Sequence, residues 1–577
     1  MILKRTDTPP TPTLDEWVHA ELSKASMGLS PISLALAYAD WALHLCVSPG
    51  KQLALMQLAT QLYQDTLAQQ ISAHPETSPY AKDARFDNPA WAHWPYKFWQ
   101  GHYQANEAWW QESTHVTGVS KHHEHVMRFF TRQWLDAMSP SNWAISNPEV
   151  LESLAATGGQ SLLKGMQQYA DDVRKISAHK LTSDAAPLQA LAYEVGKDVA
   201  VSPGKVVYQN KLIELIQYTP TTHKVHPEPL LIVPSCIMKY YILDLSPHNS
   251  MVKYLVSEGF TVFMVSWRNP TSQDRDLGMH DYLQRGVLDA IEAVQSLTQA
   301  PRLHAMGYCL GGTFLSIAAA VLGRQKAPSP LASVTLLAAQ TDFSEPGELG
   351  VFIDDDQLLT LREEMAQTGY LSGKQMAGSF QFLNSRDLIW SRSTQRYLLG
   401  REDIGNDMVS WNKDTTRLPA RMHNEYLDSL FLNNSLSEGH YRVDGKPVDL
   451  MDIQQPLMVV GTVRDHISPW KSVYKIHAKT DTDTCFILAA GGHNAGIISE
   501  PGHPHRSYQI SAMTRGHGWV DPDAWQLQAP TEEGSWWPAW SRWLKQYSRP
   551  LVKVKAIPNG ASLPAAPGHY VLVRYND

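Results

Sequence analysis

A cysteine stands between glycines in a pattern typical of a catalytic nucleophile. In GYCLGG (307–312), Cys309 occupies the central position of a G-x-S-x-G nucleophile elbow, with cysteine in place of serine. The apolar run LHAMG (303–307) precedes it and the helical run TFLSIAAAVLG (313–323) follows, so the sequence predicts a strand–turn–helix around the cysteine. At such a turn glycines leave room, the helix N-terminus favours a thiolate, and the amide of Leu310 would face a developing oxyanion. The alternative interpretation is a glycine-rich turn around a buried cysteine.

An acid and a histidine follow two later apolar runs, in the order that elbow enzymes use. LMVVGTV (457–463) leads into Asp465, and CFILAAGG (485–492) leads directly into His493. Because all three side chains follow predicted strands and stand in the right order, we expect Cys309, Asp465 and His493 to form a nucleophile–acid–base triad.

Cysteine in place of serine favours acyl transfer over simple hydrolysis. A thiolate that attacks a thioester forms another thioester, so the exchange is nearly balanced and the acyl group stays activated. A hydroxyl group can then accept that acyl group. A serine ester would lie lower in free energy and would transfer its acyl group to an alcohol less readily.

Composition excludes several classes of protein. The chain has 577 residues, enough for two to four structural units, and its 43% hydrophobic and 18% charged residues are typical of a globular protein. The formal charge of −8 makes nucleic acid an unexpected partner. Four cysteines without a CxxC pair argue against a disulfide framework or a zinc ribbon and favour a reducing cytosol.

Membrane and metal signals are weak in this sequence. The beginning of the chain has no apolar core of a secretory signal, and no stretch has about 18 uninterrupted apolar residues, so we expect no membrane span. Adjacent histidines in His122–His125 would point in different directions on a helix, so we expect no metal there. His466 is interpreted as a structural residue of its loop, and His477 as an ordinary helical residue. No phosphate loop or dinucleotide fingerprint follows any predicted strand.

The elements that must position the triad fall into two regions. Residues 1–13 are rich in Thr and Pro and are predicted to be disordered, and residues 14 to about 200 have helical periodicity, for example in 33–46 and 51–67. A further helix is predicted to begin at Asn147-Pro148. We therefore predict a mainly helical region at 1–200 and a catalytic domain at 201–577.

The second region alternates short apolar runs with helical stretches, which predicts an α/β fold with a largely parallel sheet. The predicted strands are 230–234, 260–267, 303–307, 333–339, 457–463 and 485–492. The interval from about 343 to 450 interrupts this alternation and is predicted to be an inserted cap. Its aromatic residues include Phe352, Trp390, Trp411 and Phe431, which would suit a dry tunnel over the nucleophile or the core of the cap itself.

The chain resembles the polyhydroxyalkanoate (poly-beta-hydroxybutyrate) synthases in these motifs and in longer strings, and it most resembles the long single-subunit type. Nearly everything after about residue 80 takes part in the resemblance. Its longest strings are RFFTRQWLDAMSPSNWAISNPEVL (128–151), KYYILDLSPHNSMVKYLVSEGFTVFMVSWRNP (239–270), GYCLGGT (307–313), DFSEPGELGVFIDDDQL (342–358), SRDLIWS (385–391), WNKDTTRLPARMH (411–423), GTVRDHISPWKSVYKIH (461–477) and GGHNAGIISEPG (491–502). One departure is Met238, where the family usually has Asn, which affects the geometry of that loop.

The resemblance implies an α/β-hydrolase fold with a cap, and an acyltransferase that polymerises (R)-3-hydroxyacyl-CoA, with 3-hydroxybutyryl-CoA as the expected unit. It implies the same triad, Cys309, Asp465 and His493, with CoA released and no other cofactor. Backbone amides of Leu310 and of the 235–238 loop, at Ile237, are expected to bind the oxyanion. Whether Asp465 orients His493 or helps to activate the attacking hydroxyl stays open, as does acyl chain-length preference. The alternatives are a thioesterase or depolymerase on the same fold and an inactive granule-binding protein.

The resemblance also implies a cytoplasmic homodimer at the surface of a polyester granule. The Trp-rich segment GSWWPAWSRWL (534–544) allows two interpretations. Its four tryptophans, Trp536, Trp537, Trp540 and Trp543, could contact the granule, or they could close the core of the catalytic domain.

Overall fold

The structure is a computed structural model that describes residues 18, 29–71, 83–181, 193–383, 385–402, 405–555 and 563–574. The predicted disordered segment 1–13 lies outside these residues. By its internal contacts the chain divides into two units. The helical unit contains Leu29–Leu188 and Gly378–Ile404, and the sheet unit contains Gln189–Ala377 and Gly405–Asp577. Part of the predicted cap, 378–404, thus belongs to the helical unit.

The first part of the helical unit is helical as predicted, and polar side chains cap the first turns of α1, α4 and α5. The helices are α1 (Pro31–Cys46), α2 (Pro49–Ile71), α3 (Tyr96–Ser113), α4 (Lys121–Met138), α5 (Pro148–Ala156) and α6 (Gln160–Leu181). Helix α5 begins where expected, because Asn147 accepts hydrogen bonds from two backbone amides of the first turn and Pro148 occupies the first helical position. Helices α1 and α2 are separated at Val47-Ser48, before the proline that starts α2.

Buried ion pairs explain why 378–404 belongs to the helical unit. Arg386 donates to Asp136 Oδ1 at 2.9 Å and to Glu107 Oε1 at 3.0 Å. The same two carboxylates bind Arg85, whose side chain is buried. Removing one partner would leave buried charges uncompensated, so this cluster holds the segment to α3 and α4.

Among the described residues, ten strands form one sheet. They are β1 (Gly204–Gln209), β2 (Ile213–Tyr218), β3 (Leu230–Val233), β4 (Val262–Trp267), β5 (Leu303–Tyr308), β6 (Leu331–Leu337), β7 (Leu457–Thr462), β8 (Thr484–Ala489), β9 (Ser507–Met513) and β10 (Thr531–Glu533). Their order is β1-β2-β4-β3-β5-β6-β7-β8-β9-β10. Strands β3 to β8 pair in parallel, and every residue of these six strands is buried.

The six parallel strands confirm the predicted α/β architecture. The antiparallel strands β1 and β2 at one side of the sheet, and β9 and β10 at the other, were not predicted from the sequence. Strands were predicted from continuous apolar runs, which are typical of strands buried on both faces. Strands β1 and β9 mix polar and apolar residues, as half-buried strands do, and therefore lack that signal.

Helices cover the sheet and build the insertion between β6 and β7. Those outside the insertion are α7 (Met251–Ser257), α8 (Asp289–Thr298), α9 (Leu310–Gly323), α14 (Trp470–Tyr474), α15 (Pro522–Gln528) and α16 (Trp537–Gln546). The insertion contains α10 (Asp355–Thr368), α11 (Gly373–Leu383), α12 (Asp407–Asn412) and α13 (Ala420–Tyr426). Wider π turns continue α13 through Leu427–Leu432, and others lie at Arg386–Ser391, at Thr394–Leu398 and before α8 at Tyr282–Leu288. No helix in the described part of the chain is long and apolar enough to span a membrane.

The four tryptophans of the Trp-rich segment are buried in the core. Trp540 donates from its indole nitrogen to Thr335 Oγ1 in β6 at 3.0 Å. Trp536 and Trp537 donate to the carbonyls of residues 496 and 497, in the loop after β8. Their interpretation as a granule contact is therefore wrong. They close the sheet unit, because buried indole rings with satisfied N–H groups stabilise a core.

Candidate active site

Cys309 lies on a strained turn between β5 and α9. Its backbone has φ 53° and ψ −128°, a conformation that non-glycine residues rarely adopt. Its N–H donates to Leu337 O at 2.9 Å, and its carbonyl accepts from the amides of residues 312 and 313. These bonds hold the turn, and the thiol stays partly exposed. Strain maintained by the surroundings is typical of functional sites.

The elbow needs glycine because backbone atoms approach it closely. A Cβ at Gly307 would lie 2.4 Å from Gly312 Cα, and a Cβ at Gly311 would lie 2.2 Å from Val233 O. No side chain fits at these distances. The second contact also places the first turn of α9 against the end of β3. The amide of Leu310, at the first helical position, lacks an intrahelical acceptor by the geometry of helices.

Asp465 follows β7 and is held by four donors. Its Oδ1 accepts from the amides of Ile467 at 2.9 Å and Ser468 at 2.8 Å. Its Oδ2 accepts from Thr462 Oγ1 at 3.1 Å and from His493 at 2.8 Å. The side chain has 0% exposed surface. The carboxylate is therefore fixed in position and closed to substrate.

His493 follows β8 and links the acid to the nucleophile. A carboxylate only accepts hydrogen bonds, so the 2.8 Å contact with Asp465 means that His493 Nδ1 carries a proton. The remaining ring nitrogen, Nε2, is left to accept the thiol proton of Cys309, whose charge is among the causes that raise the pKa of His493. This is the tautomer that a base acting on the thiol requires. Of the three predicted residues, the structure joins Asp465 and His493 by a hydrogen bond and places Cys309 on the elbow that follows β5.

The electrostatics of the triad favour a charged imidazole. Burial alone would lower the pKa of His493. The charges of Asp465 and of a Cys309 thiolate, with the hydrogen bond to Asp465, outweigh burial and raise the pKa of His493 well above its ordinary value. An imidazolium beside a thiolate is the activated state of a cysteine nucleophile.

The loop after β3, residues 235–238, contains the predicted second oxyanion amide. The Ile237 N–H donates to Ser235 Oγ at 3.3 Å, near the long limit of a hydrogen bond. A negatively charged oxygen is a stronger acceptor than a hydroxyl, so it can replace this contact. Met238, where the family usually has Asn, is buried and pairs with Thr415 through a short antiparallel bridge.

Four further residues near the triad were not identified from the sequence as parts of the site. Tyr308 donates from its phenol to Asn494 Oδ1 at 2.6 Å. Burial raises the pKa of the Cys236 thiol, and the nearby Cys309 raises it further. Cys236 is therefore a second thiol near the nucleophile, and its raised pKa makes it inert. Burial and then both cysteines raise the pKa of Tyr426, so this residue of the insertion lies near Cys309. Tyr308 and Asn494 are each adjacent in sequence to a triad residue. This adjacency was the only feature of the sequence that could have indicated that they belong to the site.

The insertion also contributes Thr416 to the site. Thr416 Oγ1 donates to the carbonyls of Cys236 at 2.8 Å and Ile237 at 2.6 Å. Of the four aromatic residues noted in the insertion, Trp411 and Phe431 are buried within the sheet unit. Their burial supports the interpretation that they form the core of the insertion.

The remaining histidines have structural surroundings. The carbonyl of His466 accepts from Glu348 N at 3.1 Å, which links its loop to the start of the insertion, while its side chain is 61% exposed. His477 is partly buried, and its ring packs against Tyr474 at a tilted angle. His123 Nδ1 lies 2.6 Å from Asp40. Within the described residues, no three His, Cys, Asp or Glu side chains group as a possible metal site.

Comparison with known proteins identifies relatives over most of the chain. Residues 82–255 match the model of the poly-beta-hydroxybutyrate polymerase N-terminus, and residues 9–51 match a second model of that N-terminus. Residues 229–499 match the model of the alpha/beta hydrolase fold, which confirms the predicted fold.

Named relatives agree with these models. The chain is 36% identical to the poly(3-hydroxyalkanoate) polymerase of Methylorubrum extorquens, over 91% of this chain and 86% of the relative. It is 36% identical to a polymerase subunit of Cupriavidus necator, over 85% and 83%. It is 36% identical to poly(3-hydroxyalkanoate) polymerase 2 of Ectopseudomonas oleovorans, over 86% and 87%.

Proposed function

The chain belongs to the poly(3-hydroxyalkanoate) polymerase family of polyester-forming acyltransferases, and from this premise we propose that it polymerises (R)-3-hydroxyacyl-CoA through an acyl thioester on Cys309. The observation that carries the proposal is the hydrogen bond of His493 to the enclosed carboxylate of Asp465, together with the strained cysteine elbow at Cys309. The expected unit is 3-hydroxybutyryl-CoA. The reaction uses no cofactor, because CoA is the leaving group.

Acylation begins with transfer of the thiol proton from Cys309 to His493. The thiolate attacks the carbonyl carbon of the acyl-CoA thioester, and the oxyanion that forms accepts from the amides of Leu310 and Ile237. The bond from carbon to the CoA sulfur then breaks, and CoA leaves as a thiol with the proton from His493. One thioester is consumed and one is formed, so the acyl group remains activated.

Elongation uses the hydroxyl at carbon 3 as the second nucleophile. It loses its proton to His493 as it attacks another acyl thioester, an ester bond forms, and the released thiolate regains the proton. Asp465 stabilises the imidazolium in both steps. Because both of its oxygens already accept hydrogen bonds and its side chain is closed to solvent, we assign Asp465 the orienting role and not direct contact with the hydroxyl.

Incubation with (R)-3-hydroxybutyryl-CoA tests this proposal, with released CoA and turbidity recorded together. We expect both signals from the wild-type protein and neither from Cys309→Ala. Cys46→Ala is the matched control, because Cys46 is exposed and lies outside the elbow. CoA release without turbidity would identify a thioesterase. Absence of both signals would identify a granule-binding protein without activity.

Association with a granule surface is also part of the proposal, with a cytoplasmic location and a homodimeric state. Apolar side chains on α1 and α2 support it, since each is at least half exposed to solvent: Ile32, Leu36, Tyr38, Leu43, Leu53, Met56 and Tyr63. Exposed apolar patches are typical of surfaces that bind apolar partners. Fractionation of polymer-producing cells should recover the wild-type chain on granules and a Leu43→Ser, Met56→Ser variant largely in the supernatant. Equal recovery of both proteins on granules would exclude this surface as the granule contact. Sedimentation velocity tests the homodimeric state.

A further inference from the structure

Residues 563–574, here called the strap, lie along the edge of the sheet. Ala566 N donates to Gly204 O at 2.9 Å, and Val206 N donates to Pro564 O at 2.9 Å. Glu214, which is fully buried in β2, accepts from the amides of residues 569 and 570 at 2.9 Å each. A buried carboxylate that accepts two backbone N–H groups is a strong anchor. The strap is thus fixed before it passes the loop after β3.

Beyond this anchor the strap binds a buried lysine. Lys239 Nζ donates to Val571 O at 2.6 Å and to Val573 O, and its side chain is 1% exposed. The carboxylate of Asp414 lies 4.0 Å away. A buried ammonium group requires acceptors and a counter-charge, and the strap supplies two of those acceptors. The position of Lys239 therefore depends on the strap.

Lys239 lies two residues after Ile237, the proposed oxyanion donor. Thr416 holds the Ile237 carbonyl, and Trp411 donates from its indole nitrogen to Lys239 O at 2.8 Å. Asn269 donates to Arg574 O at 2.9 Å and accepts from Arg417 N at 2.9 Å, which links the end of the strap to the same segment. The loop is thus held from one side by 411–417 and from the other by the strap through Lys239.

We propose that Lys239, held by the strap, is a positioning residue for the Ile237 amide. The inference rests on the proposed acyl transfer. An oxyanion donor must be in place before charge develops, and an amide that rotates away stabilises the transition state less. Lys239 does not contact the reacting atoms, so its effect should be confined to the step that forms an oxyanion.

Two reactions of the same thiol separate this role from general damage. Acylation by 3-hydroxybutyryl-CoA passes through an oxyanion. Alkylation by iodoacetamide does not, because the thiolate displaces iodide directly at carbon. In Lys239→Met we expect single-turnover acylation to fall about tenfold or more, since loss of one oxyanion donor costs about 10²–10³ in kcat. Alkylation of Cys309, followed by mass spectrometry of its peptide, should stay at the wild-type rate.

A chain shortened after Tyr570 provides a second variant, because it keeps Lys239 and the Glu214 anchor but lacks Val571 and Val573. This shortened chain should show slower acylation with unchanged alkylation, as Lys239→Met does. A chain that combines the two changes should lose no more acylation activity than either variant alone. Lys253→Met is the matched control, since the Lys253 ammonium also donates to a backbone carbonyl but is exposed. Unchanged acylation in both variants, or equal loss of acylation and alkylation in both, would overturn the proposal. Failure of acyl transfer itself would differ, because the wild-type protein would then release no CoA.

Discussion

The phenol of Tyr308 donates to Asn494 Oδ1 at 2.6 Å, which joins the residue before the nucleophile to the residue after the base. The ring of Tyr308 also lies 5.6 Å from the ring of His493. Tyr308 is buried at the end of β5, so its hydroxyl requires a partner. The elbow and the His493 loop are therefore positioned relative to one another by a side-chain bond, in addition to the sheet.

Tyr308→Phe should slow acylation about fivefold, because a hydrogen bond of this kind contributes about 1 kcal/mol. The ring remains, so packing against His493 is preserved. Single-turnover acylation measured for Tyr308→Phe, Asn494→Ala and the double variant gives the coupling between the two residues. We expect the double variant to resemble either single variant. Losses that simply multiply would show that the two residues act independently.

His493→Gln and Asp465→Asn should both slow acylation and elongation, and the two variants should differ only in the size of the loss. Loss of the base should reduce acylation by about 10²-fold or more. Asp465→Asn should slow acylation and elongation by the same factor, because the enclosed carboxylate acts only through His493. Rapid-quench acylation and steady-state CoA release measure the two steps, and His466→Gln is the control for an adjacent, exposed histidine. Elongation that suffers much more than acylation in Asp465→Asn would instead indicate direct activation of the hydroxyl.

Alkylation of Cys309 by iodoacetate should report the charge of His493. An imidazolium attracts this anion, so the rate should fall as pH rises through the raised pKa of His493. Asp465 raises that pKa, so in Asp465→Asn the fall should occur at lower pH. Rates are followed on the Cys309 peptide, since Cys46 is also exposed. Neutral iodoacetamide is the control reagent, and a fall at the same pH in both proteins would contradict the assigned role of Asp465.

The start of the insertion should protect the acyl enzyme from water. Leu358 is buried, and glycine there should destabilise the insertion by about 3 kcal/mol or more. If the insertion excludes water, Leu358→Gly or Val351→Gly should raise the ratio of free 3-hydroxy acid to polymer. Leu359→Gly is the matched control on the same helix, because Leu359 is 46% exposed. Faster proteolysis of 343–358 with an unchanged product ratio would show that the insertion does not shield the thioester.

The sequence by itself determined the parallel core and predicted the three residues of the triad. Each strand from β3 to β8 is a short apolar run, and strand ends place Cys309, Asp465 and His493 at one edge of the sheet. These signals are local, because a buried strand, a tight turn and the start of a helix each depend on a few adjacent residues. The order of nucleophile, acid and base along the chain was the only relationship between distant residues that the prediction of the triad required.

Only the tertiary structure decided the contacts between distant parts of the chain. The same Trp-rich segment suited a core or an exposed surface, and its burial depends on Thr335 and on the loop after β8, far away in sequence. Arg386 belongs to the helical unit because Glu107 and Asp136 lie there, although in sequence it lies within the insertion between two strands of the sheet unit. Lys239 is buried because the strap, more than 300 residues later, supplies its acceptors. Local patterns cannot specify such pairs, because hydrogen bonding and charge compensation depend on which groups the folded chain brings within a few ångströms.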